Sequence, residues 1–125
     1  MRILLLLFAF AVPLLLLSGC AAKRDLKTVA CIAKKQPGEN KCLEKLAIDT
    51  KDPRPCDKIR PFEEKNGTLS FPTKTSCYAQ VAYWKGEQSV CNALPDIDES
   101  SECRHRFDLY IETARFIEDN STSGN

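Results

Sequence analysis

The chain has a single histidine, His105, and no two of its seven cysteines are spaced Cys-x-x-Cys. A structural zinc site needs four closely spaced thiolate or imidazole ligands, and a thioredoxin-like dithiol or a haem attachment needs the Cys-x-x-Cys turn. Zinc, iron–sulfur, haem and dithiol redox chemistry are therefore set aside, and the expected metal and cofactor content is none. A Gly-rich phosphate loop, a nucleophile elbow and a His-Glu-x-x-His helix are missing as well. So is any excess of charge. From Cys20 onward 17 basic side chains face 17 acidic ones, which argues against a general nucleic-acid binder. No long stretch alternates apolar and polar residues, so nothing argues for a sheet.

What is present begins with a leader. Arg2 is followed by an apolar run from Ile3 to Leu17, broken only by Pro13. That run is shorter than the roughly 20 residues a membrane span requires, but suits the apolar core of a secretory signal. Ser18, Gly19 and Cys20 follow. Leu17-Ser18-Gly19-Cys20 resembles the lipobox of prokaryotic lipoproteins. The resemblance implies a diacylglycerol thioether on Cys20, cleavage before it, and an acyl chain such as palmitate on the new amino terminus. It covers about the first 22 residues. Ala21, rather than Asp, after the cysteine would favour the outer membrane if the cell has one. The alternatives are a short uncleaved anchor or an ordinary signal cut at another small residue such as Ala22. The expected organisation is signal peptide 1–19, tether 20–24, folded domain 25–119 and disordered tail 120–125.

The 106 residues from Cys20 to Asn125 amount to one domain. Charge is unevenly spread: residues 20–60 carry 11 Lys/Arg against 6 Asp/Glu, and residues 61–125 carry 6 against 11. Weak attraction of the basic half to anionic headgroups is one reading; a solvated helical surface is the other.

Apart from Cys20, six cysteines form an even set in an exported chain, which favours disulfides. Cys42 and Cys56 have the same spacing as Cys77 and Cys91. Laid over each other, CLEKLAIDTKDPRPCDKI and CYAQVAYWKGEQSVCNAL share Cys, Ala and Cys, and agree in character at Leu46/Val81, Asp52/Glu87 and Ile59/Leu94. A partial third copy follows Cys103, with Phe107 at the Leu46/Val81 position, and Cys31 matches Cys56 and Cys91. Apolar residues recur at helical spacing in Leu26-Val29-Ala30-Ala33, Leu43-Leu46-Ala47, Tyr78-Val81-Ala82 and Phe107-Tyr110-Ile111-Ala114-Ile117. Turn signals fall between them. Helices are expected near 23–35, 40–51, 55–64, 74–85, 87–94 and 98–119. The fold class is all-α: a small array of antiparallel helical hairpins, five or six helices, stapled by three disulfides.

Within each repeat the two cysteines start successive antiparallel helices, a helix length apart, whereas a disulfide requires Cα atoms within about 7 Å. Cysteines flanking the turns between repeats meet that limit. The expected pairs are Cys31–Cys42, Cys56–Cys77 and Cys91–Cys103. The pattern C-[YL]-x-x-x-A with a second cysteine fourteen residues on resembles cysteine-stapled helical-repeat exported proteins. That resemblance implies an architecture and no activity.

Candidate chemistry is thin. His105, Asp108 and Glu112 share a face of the last expected helix, as a metal or acid–base group would. They also sit among the candidate i, i+4 ion pairs Glu102–Arg106, Arg104–Asp108 and Arg115–Asp119, which would make an exposed charged face. Tyr78 falls on an apolar stripe and is expected in the core. Tyr83 and Trp84 end a helix beside Gly86 and cannot both face inward with Val81, so one of them is a candidate binding anchor. The insert from Arg60 to Thr75 holds Phe62 and Phe71, which either cap the core or bind a partner. Asn66 and Asn120 match the glycosylation sequon, which matters only in a host that glycosylates.

The expected function is a non-enzymatic, membrane-anchored extracytoplasmic lipoprotein acting as a protein-interaction or envelope-structural module, in periplasm or on the cell surface. Its expected partners are membrane lipid through Cys20 and an envelope protein, with no nucleic acid. The alternative is a regulator or inhibitor of an envelope hydrolase, or a small hydrolase itself, using carboxylates such as Asp96, Asp98, Glu99 and Glu102.

Overall fold

The computed structural model describes residues 26–122; the leader, Cys20 and the tether at 20–24 lie outside them. Helix α1 occupies residues 26–32, α2 Gly38–Thr50, α3 Lys74–Lys85 and α4 Ile97–Thr122. Two short 3₁₀ helices, Arg54–Lys58 and Gln88–Ala93, follow α2 and α3. The only extended pairing among the described residues is an antiparallel bridge between Glu63 and Leu69. The fold is all-α, and none of its described helices is long and apolar enough to cross a membrane.

Two segments 35 positions apart are built alike. At the end of α2, Lys51 takes the left-handed conformation; its N–H donates to Ile48 O and that of Asp52 to Ala47 O. At the end of α3, Gly86 does the same, with its N–H on Tyr83 O and that of Glu87 on Ala82 O. This paired closure satisfies carbonyls the helix leaves open and reverses the chain. A 3₁₀ helix carrying the second cysteine of each repeat comes next. It ends where Ile59 N–H meets Cys56 O in one copy and Leu94 N–H meets Cys91 O in the other. Ile59 and Leu94 are both buried. The sequence repeat is therefore a structural one: helix, left-handed cap, 3₁₀ turn.

The disulfides join one unit to the next. Cys31–Cys42, Cys56–Cys77 and Cys91–Cys103 have Cα separations of 5.4, 5.7 and 5.6 Å. They also form much of the interior. Five half-cystines lie in the buried cluster with Ala47, Ala79 and Ala82, and its larger members are Leu43, Ile59, Tyr78, Val81, Val90 and Leu94. So few large aliphatic side chains make a modest hydrophobic term, which cross-links of this kind offset in small domains. Helix α3 is central, packed against α2, α4 and both 3₁₀ helices.

Several elements differ from the sequence reading. The helix expected at 55–64 stops at Lys58, and the insert folds instead into a small hairpin, with Glu64 N–H on Thr68 O and Ser70 N–H on Phe62 O. The Asn66 carboxamide accepts from Thr68 N–H and holds the turn. The last helix runs past 119 to Thr122, so residues 120–122 belong to α4 rather than to a disordered tail. The α1 stripe is reversed. Leu26 and Val29 are 67% and 62% exposed, and Ala30 and Ala33 are exposed too. On a helix, position 31 lies roughly 150° from the face shared by 26, 29 and 30. Cys31 is buried and bonded to Cys42, so the staple turns the apolar stripe outward.

Polar side chains do structural work that composition did not show. Asn40 and Glu39 are buried in the first turns of α2. Asn40 donates through Nδ2 to Arg60 O at 2.7 Å and accepts Arg60 N–H on Oδ1 at 3.3 Å. The Glu39 carboxylate takes the Arg60 guanidinium at 3.0 Å. Together they clamp the end of the first unit onto the start of α2.

Candidate binding groove

Charged residues weighed for catalysis have structural partners or face solvent. Asp96 is the N-cap of α4: its carboxylate accepts from Asp98 N–H at 2.9 Å and Glu99 N–H at 3.0 Å. Glu102 pairs with Arg106 at 2.7 Å, as the spacing suggested. Arg104, however, donates to Ser100, and Asp108 accepts from Gln88 Nε2 at 2.9 Å, which ties α4 to the second 3₁₀ helix. His105, Asp108 and Glu112 are all exposed, and the described residues contain no group of three His, Cys, Asp or Glu placed to hold a metal. Tyr78 is buried, and its hydroxyl donates to Asp57 at 2.9 Å. Burial first, then the Asp57 carboxylate, push its ionisation above the ordinary tyrosine range.

The aromatics lead to a concavity. Residues 76, 80 and 83 or 84 of α3 recur at helical spacing, as do 106, 110, 113 or 114 and 117 of α4, and the two faces enclose a pair of adjoining open grooves. One, of about 410 Å³, lies between Tyr83 and Trp84 of α3 and Tyr110, Ala114 and Ile117 of α4. The other, of about 480 Å³, is bounded by Lys41 and Glu44 of α2, by Phe71 and Pro72, and by Arg106. Gln80 and Tyr110 line both, so the two open grooves adjoin at these residues.

Trp84 is 54% exposed and Tyr83 half-buried. The Tyr83 ring stands edge-on to Trp84 at 5.4 Å and to Tyr110 at 5.9 Å, in the geometry that aligns ring edges with ring faces. Phe71 is 57% exposed and lies outside the buried cluster, which removes its core-capping role; the Arg106 guanidinium sits 5.6 Å from its ring centre. Phe62 is half-buried and lines neither groove. The fold thus brings Tyr83 and Trp84 together in one groove, places Phe71 in the adjoining one, and leaves Phe62 with the hairpin.

Sequence reasoning missed Lys41, Glu44, Gln80, Arg106 and Tyr110 as groove residues. Spacing along α4 groups Tyr110 with Ala114 and Ile117, but only packing of α3 beside that face makes it one wall of a groove. Half-burial raises the pKa of the Glu44 carboxyl above its ordinary value. A desolvated carboxylate gains from a cationic ligand group that restores favourable electrostatics. Aromatic rings, an amide and opposite charges at one end equip the adjoining grooves to grip a mixed apolar and charged segment.

Comparison of the chain with known protein families, with curated proteins and with solved structures finds no match.

Proposed function

We propose that this protein is a lipid-anchored extracytoplasmic interaction module, holding a segment of another envelope protein in the α3–α4 grooves. The observation that carries the reading is the set of partly exposed aromatics, Phe71, Tyr110, Tyr83 and Trp84, lining two adjoining grooves of a framework cross-linked by three disulfides. Exposed aromatic anchors in concave sites dominate binding energy in protein interfaces. Disulfides also favour an oxidising, extracytoplasmic compartment, in keeping with the leader and Leu17-Ser18-Gly19-Cys20. Attachment through Cys20 makes the module a membrane-side tether, and the rigid groove spares the partner the ordering cost a flexible site would impose.

The test places a photo-crosslinking residue at Gln80 and recovers adducts from the protein's own envelope. A defined protein partner is expected, with its yield falling at least about tenfold in Trp84→Ala and Phe71→Ala. Adducts insensitive to both substitutions would end the proposal. Comparing intact protein with Cys20→Ser separates tether from groove: the soluble form should keep the partner and lose the membrane.

A further inference from the structure

Helix α1 turns outward a face whose pattern suits an interior. Leu26 and Val29 project away from the body because Cys31, on the opposite side, is bonded to Cys42. Lys27 on the flank of α1 and Lys34 and Lys35 just past its end are exposed, and residues 26–38 contain no acidic side chain. We propose that this face is the domain's contact with an anionic bilayer surface, with Leu26 and Val29 seated among the headgroups and the three lysines on lipid phosphates.

Apolar side chains flanked by lysines are what an interfacial helix presents to such a surface. Another exposed apolar group, Leu109, Phe116 and Ile117 on α4, has the opposite surroundings. Residues 108–119 carry four acidic side chains and one basic, so an anionic surface repels that end and attracts α1. The contact fits the tether of the proposed function, on which it rests for placement only. Six positions separate Cys20 from Leu26, at most about 20 Å of extended chain, so a lipidated Cys20 keeps α1 within reach of the bilayer. The basic front half and the outward stripe then have one explanation: the molecule stands on α1.

The experiment uses the chain from residue 20 onward carrying Cys20→Ser, so that no lipid contributes, with its three disulfides verified by non-reducing mass analysis. It is sedimented with vesicles of mixed phosphatidylglycerol and phosphatidylcholine, and with pure phosphatidylcholine vesicles. Binding to the anionic vesicles is expected, at least about tenfold weaker to neutral ones. The pair Leu26→Ser and Val29→Ser, and separately Lys27, Lys34 and Lys35→Gln, should each weaken it at least about fivefold. Both sets are exposed, and unchanged helical circular dichroism checks that the fold survives. Absence of binding, equal binding to both vesicle types, or indifference to the Leu26/Val29 pair overturns the proposal. Self-association abolished by that pair would assign the face to a second copy and overturn it too. Lipidation is read separately, from the mass of the Cys20 peptide of the intact protein, so the two ideas fail independently.

Discussion

The unit built on α2 and the unit built on α3 share a plan but not a means of support. In α3 seven residues are buried, most of them small or apolar, and the helix starts with a reciprocal cap: Thr73 Oγ1 accepts Ser76 N–H at 3.1 Å while Ser76 Oγ accepts Thr73 N–H at 2.9 Å. It ends on Gly86, for which a positive φ of 71° is cheap. In α2 four residues are buried, two of them the polar Glu39 and Asn40; no side chain caps the start, and the left-handed end falls on Lys51 at φ 52°. Helix α3 lies between neighbours and is stabilised by apolar contact. Helix α2, nearer the front, buries Leu43 and Ala47 as well but adds a polar clamp on Arg60. One repeat plan thus takes a larger polar share where the helix lies nearer the front of the array.

The sharpest way to break this comparison is to remove staples one at a time. Replacing Cys56 and Cys77 together by Ser closes no loop and opens a fully buried contact. Chain entropy alone predicts a loss of about 3 kcal/mol, with lost packing added. The Cys31–Cys42 pair, with Cys42 only partly buried, should cost less. Denaturant midpoints of the two double variants measure the difference, and a reversed order would refute a central role for α3. Next, Asn40→Ala strands both backbone groups of Arg60 and should cost about 2 kcal/mol. Hydrogen exchange should then quicken at the Arg60 amide before it does in α3.

Smaller effects test the two helix ends against each other. Thr73→Ala should cost about 1 kcal/mol in thermal unfolding. Lys51→Gly should stabilise by up to about 1 kcal/mol, while Gly86→Ala should cost a similar amount although its Cβ meets open space. Opposite signs at equivalent positions would confirm that one backbone requirement governs both. The smallest effect is at Glu44. Burial raises its folded pKa, so the native state binds more protons than the unfolded one, and stability falls as pH rises from the ordinary carboxylate value through the raised one. Glu44→Gln should therefore stabilise at neutral pH by some tenths of a kcal/mol and lose that advantage in acid. A stability difference independent of pH would contradict the desolvated carboxylate.

Legibility in the sequence followed the range of the forces involved. The staples were legible because cysteine spacing and helix rise are local quantities, and α4 was legible from its long apolar period. Trp84 could be read as an anchor candidate because Gly86 ends its helix two residues on. Asn40 and Glu39 were not legible, since their partner is Arg60, some twenty residues on at the other end of the same unit. Nor was the insert's hairpin, where a single bridge and an Asn66 turn replace the expected helix.

By itself, the sequence determined that the chain is helical, that its two central units repeat, and which cysteines come within bonding distance. These follow from periodicity and chain geometry over a dozen residues or so. Only the tertiary structure decided where each apolar stripe points. Periodicity marks one face of a helix as apolar but says nothing about what lies opposite it. Cys31 turns the stripe of α1 outward, and α3 packed beside α4 makes an open groove of Tyr110 and Ile117 rather than a closed core.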